Sequence, residues 1–140
     1  MSKPKEYKFI FDWIVSNKLA IGTSPLKEEN INLLIDFKIK NIIGLCSDNE
    51  IGWHKDIDSI FKTKRIVLPD SHTKDLPKFD QLQKAFKTLE EFVENDITFI
   101  HCVASVERSP MLCILYIMKN YNISLEDALD YVKRVHKETN

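Results

Sequence analysis

Residues 97–118 constrain the fold of this chain more tightly than any other stretch. Ile97-Thr98-Phe99-Ile100 is a short apolar run of strand type, and residues 111–118 are almost wholly apolar and long enough only for a buried helix. Between them stands His101-Cys102-Val103-Ala104-Ser105-Val106-Glu107-Arg108-Ser109-Pro110. The connecting loop is therefore expected to sit over a helix N-terminus. There the first backbone N–H groups lack intrahelical partners and the helix dipole adds partial positive charge, so an anion is favoured without any metal. Successive N–H groups curling round the loop deepen that anion nest.

The side chains on this junction suit phosphate chemistry. A thiol beside a helix N-terminus or a cation falls from about 8.5 to roughly 3.5–7.5, and the thiolate is the nucleophilic form. Cys102 is thus the candidate nucleophile. The planar guanidinium of Arg108 can grip two phosphate oxygens while staying charged. Ser109 can offer its hydroxyl to the sulfur. Val103, Ala104, Ser105, Val106 and Glu107 would lend their backbone N–H groups to phosphate binding together with Arg108, and His101 is read as supporting the loop through hydrogen bonds rather than as a base.

The string H-C-x-x-x-x-x-R-S at a strand-to-helix turn resembles the signature of the cysteine-dependent protein tyrosine phosphatases, and the short chain resembles their dual-specificity branch. The resemblance implies that Cys102 forms a phosphocysteine intermediate, that Arg108 clamps the phosphate and that Ser109 helps release the thiolate. Ser105 stands where that signature usually has glycine, which lets backbone approach the phosphate closely.

Expelling an alkoxide or phenoxide is helped by a proton donor, worth roughly a hundredfold to ten-thousandfold in rate. Asp70 lies 32 residues before Cys102 (102 minus 70), after an apolar run and ahead of a polar loop and a long helix. That context resembles the acid loop of the dual-specificity phosphatases, so Asp70 is expected to be the general acid and later the general base. Asp75 competes with it and is read instead as a helix N-cap ahead of Pro77. Some phosphatases of this family carry a thiol after the strand that corresponds to residues 41–46, which makes Cys46 a candidate redox partner of Cys102. Cys113 falls on the apolar helix and is read as core. Trp53, His54 and His72 are candidates for the site entrance.

Across the rest of the chain, strand-type runs at 9–15, 19–22, 41–46 and 65–68 alternate with helical patterns. A helix is expected from Ser24-Pro25 with Ile31, Leu34 and Ile35 inward, and a short one around Ile57, Ile60 and Phe61. Residues 77–94 place Phe79, Leu82, Phe86, Leu89 and Val93 at helical spacing. Ser124 reads as the N-cap of a last helix with Leu125, Ala128, Leu129, Val132 and Val135 on one face. The pattern predicts an α/β fold: a central, mostly parallel sheet of about four to five strands flanked by helices on both faces, as in a single domain of dual-specificity phosphatase type. Residues 1–140 are read as one phosphatase catalytic domain, with 1–8 as a candidate flexible N-terminus.

Charge narrows the partners. Lys plus Arg number 20 against 21 for Asp plus Glu, which leaves no electrostatic footprint for nucleic acid or an anionic membrane. Apolar runs are too short to span a bilayer, and residues 1–8 lack the apolar core of a secretory signal. Three cysteines, an odd number, argue for a reducing cytoplasm over a disulfide framework. The expectation is a monomeric cytoplasmic enzyme that needs no metal or cofactor. Its expected substrates are phosphorylated proteins, phosphotyrosine first, with phosphoserine and phosphothreonine as further candidates. The alternatives are a phosphoprotein-binding pseudophosphatase and an RNA 5'-phosphatase or small-phosphate phosphatase on the same scaffold.

Overall fold

A computed structural model describes residues 8–47, 52–69, 78–102 and 108–137. Five strands form one sheet: β1 (Phe11–Val15), β2 (Leu19–Thr23), β3 (Asn41–Gly44), β4 (Lys62–Arg65) and β5 (Thr98–Cys102). They lie in the order β1-β2-β5-β3-β4, with β1 antiparallel to β2 and every other pairing parallel. The helices are α1 (Glu28–Asp36), α2 (Ile57–Ile60), α3 (Phe79–Asn95), α4 (Arg108–Tyr121) and α5 (Leu125–Val135). The mostly parallel α/β architecture expected from the sequence is present.

The central strand β5 is buried along its whole length. Strands covered on both faces read as continuous apolar runs, and side chains alternate between the faces. Phe99 packs with Ala20, Ile42, Ile31, Leu34 and Ile57, so α1 and α2 cover that side. Ile100 and Cys102 pack with Ile21, Ile43, Leu89, Leu112 and Val132, so α3, α4 and α5 cover the other. Asn41 at the start of β3 donates from Nδ2 to the Phe92 carbonyl at 2.9 Å, which fixes the end of α3 to the sheet. Near the end of the described chain, the Tyr131 hydroxyl donates to the Ile14 carbonyl at 2.6 Å and His136 Nδ1 lies 2.6 Å from Asp12 Oδ2. Ser124 caps α5 as expected, accepting from the Asp127 N–H at 3.1 Å.

Several local expectations are corrected. Helix α1 begins at Glu28 rather than at Ser24-Pro25. Ser24 donates from Oγ to the Gly52 carbonyl at 2.5 Å, and the Pro25 carbonyl accepts from the His54 N–H, so both residues are committed to a loop contact. Strand β4 is the polar run Lys62-Thr63-Lys64-Arg65 rather than residues 65–68. Ile66 and Leu68 continue its direction, donating to the carbonyls of Gly44 and Leu45 at 2.8 and 3.0 Å. An edge strand tolerates polar residues, and Ile66 and Leu68 after it are buried while Val67 between them is half exposed. Phe79 and Leu125, placed on inward stripes by spacing, are 72% and 58% exposed, since each opens its helix before the core is reached.

Candidate active site

The parallel strands deliver their carboxyl ends to one rim of the sheet, where sites in such folds gather. Thr23 pairs in register with Cys102, and Gly44 pairs with His101. Arg65 pairs with Gly44 on the far side. The rim therefore runs, in order, through the ends of β2, β5, β3 and β4.

Cys102 is the last residue of β5 and is 2% exposed, recessed beneath the rim. Helix α4 opens at Arg108, three residues earlier than the apolar run suggested, so Arg108 and Ser109 belong to its first turn rather than to a loop. Pro110 fits there because the first-turn N–H groups have no intrahelical acceptor. Arg108 is buried and donates from Nη1 to the Leu68 carbonyl at 3.2 Å. Leu68 stands two residues ahead of Asp70, so this bond connects the helix start with the strand end that leads to the expected acid. Ser109 is fully buried, and its Oγ has no hydrogen-bond partner among the described residues. Asp70, His72, Asp75, Val103, Ala104, Ser105, Val106 and Glu107 lie outside the described residues.

His101 is fully buried, and burial above all, with the positive charges of Arg65 and Arg108 adding to it, pulls its imidazole down to about 3. The ring is therefore neutral at neutral pH. The Cys102 main chain lies near enough to oppose this shift, yet neither ring nitrogen has a well-formed hydrogen bond among the described residues. Ring contacts hold the imidazole in place. Trp53 meets it edge-on with centroids 5.7 Å apart, and Phe99 stacks on it at 6.0 Å. Gly44 makes room for this group: a Cβ there would lie 3.0 Å from Trp53 Cζ3 and 3.1 Å from His101 Nε2.

Arg65 escaped the sequence reading. Its guanidinium lies 4.1 Å over the Trp53 ring, donates to the Cys46 carbonyl and reaches Cys46 Sγ at 3.8 Å. A cation at the end of a strand, beside a thiol at the end of its neighbour, was the available signal. Trp53 is consequently a wall under the site rather than a free entrance aromatic. His54 accepts from the Asp56 N–H at 3.1 Å and so organises the start of α2. Cys113 is fully buried core, and burial, reinforced by nearby Cys102, pushes its thiol up. Among the described residues no group of three His, Cys, Asp or Glu side chains could hold a metal ion, and no helix is long and apolar enough to cross a membrane.

Residues 13–140 match the family model described as dual specificity phosphatase, catalytic domain. The chain belongs to the dual specificity phosphatase family. A Dictyostelium discoideum protein named "Probable dual specificity protein phosphatase" is 33% identical over 108 residues, covering 77% of this chain and 25% of its own length. Human dual specificity protein phosphatase 5 is 35% identical over 72 residues, covering 51% of this chain and 18% of its own length. The chain thus spans a quarter or less of the length of these dual specificity phosphatase relatives. Among solved structures, Tk-PTP in its active form superposes with a TM-score of 0.76 at 23% identity, covering 92% of this chain and 86% of that one. A human tyrosine phosphatase-like serine/threonine/tyrosine-interacting protein superposes with a TM-score of 0.77 at 18% identity, covering 93% and 86%. These two likenesses establish the fold shared with dual specificity phosphatases.

Proposed function

We propose that this dual specificity phosphatase domain hydrolyses phosphate monoesters on proteins, phosphotyrosine first, through a phosphocysteine intermediate. Substrate phosphate settles on the N–H groups of 103–107 and on Arg108, and the Cys102 thiolate attacks phosphorus in line. The P–O bond to the substrate breaks as Asp70 gives its proton to the departing oxygen. Water, deprotonated by Asp70, then attacks the phosphocysteine, and Ser109 donates a hydrogen bond to the thiolate that leaves. Positioning and charge stabilisation carry this chemistry, because phosphoryl transfer asks for little else.

The observation that carries the reading is the placement of Arg108 in the first turn of α4, immediately across the loop from Cys102 and bonded to Leu68 ahead of Asp70. The same retained set of Cys102, Arg108 and Asp70 favours turnover over a binding-only pseudophosphatase. We read residues 1–140 as one catalytic domain acting as a monomer, and three cysteines free of disulfides support a reducing compartment, the cytoplasm. Cys46 is the proposed redox partner of Cys102.

The test is hydrolysis of an aryl phosphate and of phosphotyrosine, phosphoserine and phosphothreonine peptides without added metal. Cys102→Ser is expected to abolish turnover. Asp70→Asn is expected to lower it roughly a hundredfold or more for poor leaving groups and far less for an activated aryl phosphate. Wild-type rates in Cys102→Ser would overturn the assignment.

A further inference from the structure

One row of the sheet, across the carboxyl ends of β4, β3 and β5, holds a cation, a gap and an imidazole. Arg65, Gly44 and His101 are register partners in turn, and partners in such a row project to one face of the sheet. Gly22, the partner of His101 on its other side, is again a glycine. His101 therefore has no side chain beside it in its own row, and the space over Gly44 is filled from another element, by the ring of Trp53. The indole is held between two neighbours: the guanidinium of Arg65 lies 4.1 Å over it, and the imidazole of His101 meets it edge-on at 5.7 Å.

Among the described residues neither imidazole nitrogen has a well-formed hydrogen bond, so the orientation of the His101 ring rests on the rings around it. The chain on either side of Trp53 is anchored, with Ser24 Oγ donating to the Gly52 carbonyl at 2.5 Å and the His54 N–H donating to the Pro25 carbonyl at 2.9 Å. Those bonds fix the backbone of residues 52–54 and leave the indole free to turn about its own side-chain bonds. Arg65 takes up that freedom. Its guanidinium donates to the Cys46 carbonyl and lies 3.8 Å from Cys46 Sγ, so it is itself fixed over the ring. A planar guanidinium can stack on an aromatic face while an N–H at its edge bonds a carbonyl, a combination that a point-like ammonium matches less well.

We propose that Arg65 is a positioning residue for phosphoryl transfer: by holding Trp53 in the slot over Gly44 it fixes the His101 ring, and with it the peptide that carries Cys102. The inference rests on the phosphatase reading of Cys102. Arg65 acts in it through Trp53 and not on the substrate. Phosphate binding stays with Arg108 and the loop, whereas the sulfur loses its in-line placement when the indole is released, so turnover suffers and substrate affinity does not. A misplacement of about 1 Å costs on the order of a hundredfold in rate, and an indole that still spends part of its time in place is expected to cost about tenfold.

The test measures kcat and KM separately for a phosphotyrosine peptide, under reductant and per folded molecule, in wild type, Arg65→Leu, Arg65→Lys, Trp53→Leu and Arg65→Leu/Trp53→Leu. Arg65→Leu is expected to lower kcat about tenfold and to leave KM within about twofold. Arg65→Lys keeps a cation for the indole face and is expected to recover most of that loss. The double variant is expected to match Trp53→Leu alone, because both changes break the same chain of contacts. Additive losses would mean that Arg65 acts on the phosphate by its charge, and they overturn the proposal. A raised KM at constant kcat overturns it as well, and so does a lower melting temperature with kcat per folded molecule unchanged, the mark of a purely structural residue. If Arg65→Leu fails to fold, Arg65→Gln, which keeps a donor for the Cys46 carbonyl and loses the cation, carries the same expectation. Absence of aryl phosphate hydrolysis by wild type tells against the phosphatase reading instead. The clamp is then read from the imidazole proton resonances of His101, which Arg65→Leu is expected to change in the wild-type background and not in Trp53→Leu. Unchanged resonances, or the same change in both backgrounds, overturn it.

Discussion

Arg108 and Leu68 are joined across the site, the guanidinium Nη1 donating to the Leu68 carbonyl at 3.2 Å. The bond reaches from the first turn of α4 to the chain just ahead of Asp70, so the residue proposed to clamp phosphate also braces the strand end that leads to the proposed acid. Arg108→Lys keeps the charge and loses the planar fork. Its kcat/KM for an aryl phosphate is expected to fall about a hundredfold to a thousandfold. Arg108→Ala additionally leaves a buried acceptor unpaired and is expected to cost about 1–3 kcal/mol in urea denaturation. Near-wild-type kinetics in Arg108→Lys would remove this residue from the proposed clamp.

His101 ties stability to acid. Its folded value of about 3 lies below the unfolded 6.5, so between those values the unfolded chain binds the extra proton. The contribution is complete above pH 6.5 and is lost as pH falls toward 3, with a slope of up to about 1.4 kcal/mol per pH unit from this group. Denaturant midpoints measured at intervals across that window should show a steeper acid decline in wild type than in His101→Asn. Parallel profiles would mean that the imidazole is not held neutral by burial.

The two structured glycines of the rim differ in severity. A Cβ on Gly44 would press on Trp53 and His101 side-chain atoms near 3 Å, so Gly44→Ala is expected to cost about 1–3 kcal/mol through displaced rings. On Gly22 it would lie 1.9 Å from the Ile10 carbonyl oxygen, which is backbone and cannot swing aside. Gly22→Ala should therefore be the more damaging, at or beyond the top of that range. Thermal melts of the two variants, with Trp53 fluorescence for the first, check the order.

Arg65 bears on oxidation. Cys102 packs in the core beneath α4, whereas Cys46 is held by Arg65 on the Trp53 side. In the proposed redox pairing, peroxide converts the Cys102 thiolate to a sulfenic acid, the Cys46 thiol attacks that sulfur and water leaves, so the disulfide form weighs two hydrogens less than the reduced protein. Releasing Cys46 with Arg65→Leu is expected to speed disulfide formation severalfold, followed by intact mass after peroxide quenching. No loss of two hydrogens in either protein would dismiss Cys46 as the partner.

Much of this architecture was legible from residues alone because β5 and most of α4 are buried and so carry nearly continuous apolar runs. The same logic failed at β4, where Lys62-Thr63-Lys64-Arg65 looks like a loop and the apolar residues after it look like the strand. That error hid Arg65, whose role depends on which neighbour its strand end meets. That Cys102 and Arg108 lie between a buried strand and a buried helix was readable from the apolar runs on either side. The Arg108 to Leu68 bond joins residues far apart in sequence, and only the sheet order brings these together.

The polar character of β4 has a further consequence. It lies at an open margin of the sheet, where unpaired backbone groups would otherwise template another chain, and its lysines place charge where a newcomer would have to lie. At the opposite margin the Tyr131 hydroxyl occupies the Ile14 carbonyl. Charge on one border and an occupied carbonyl on the other both work against fibrous self-association.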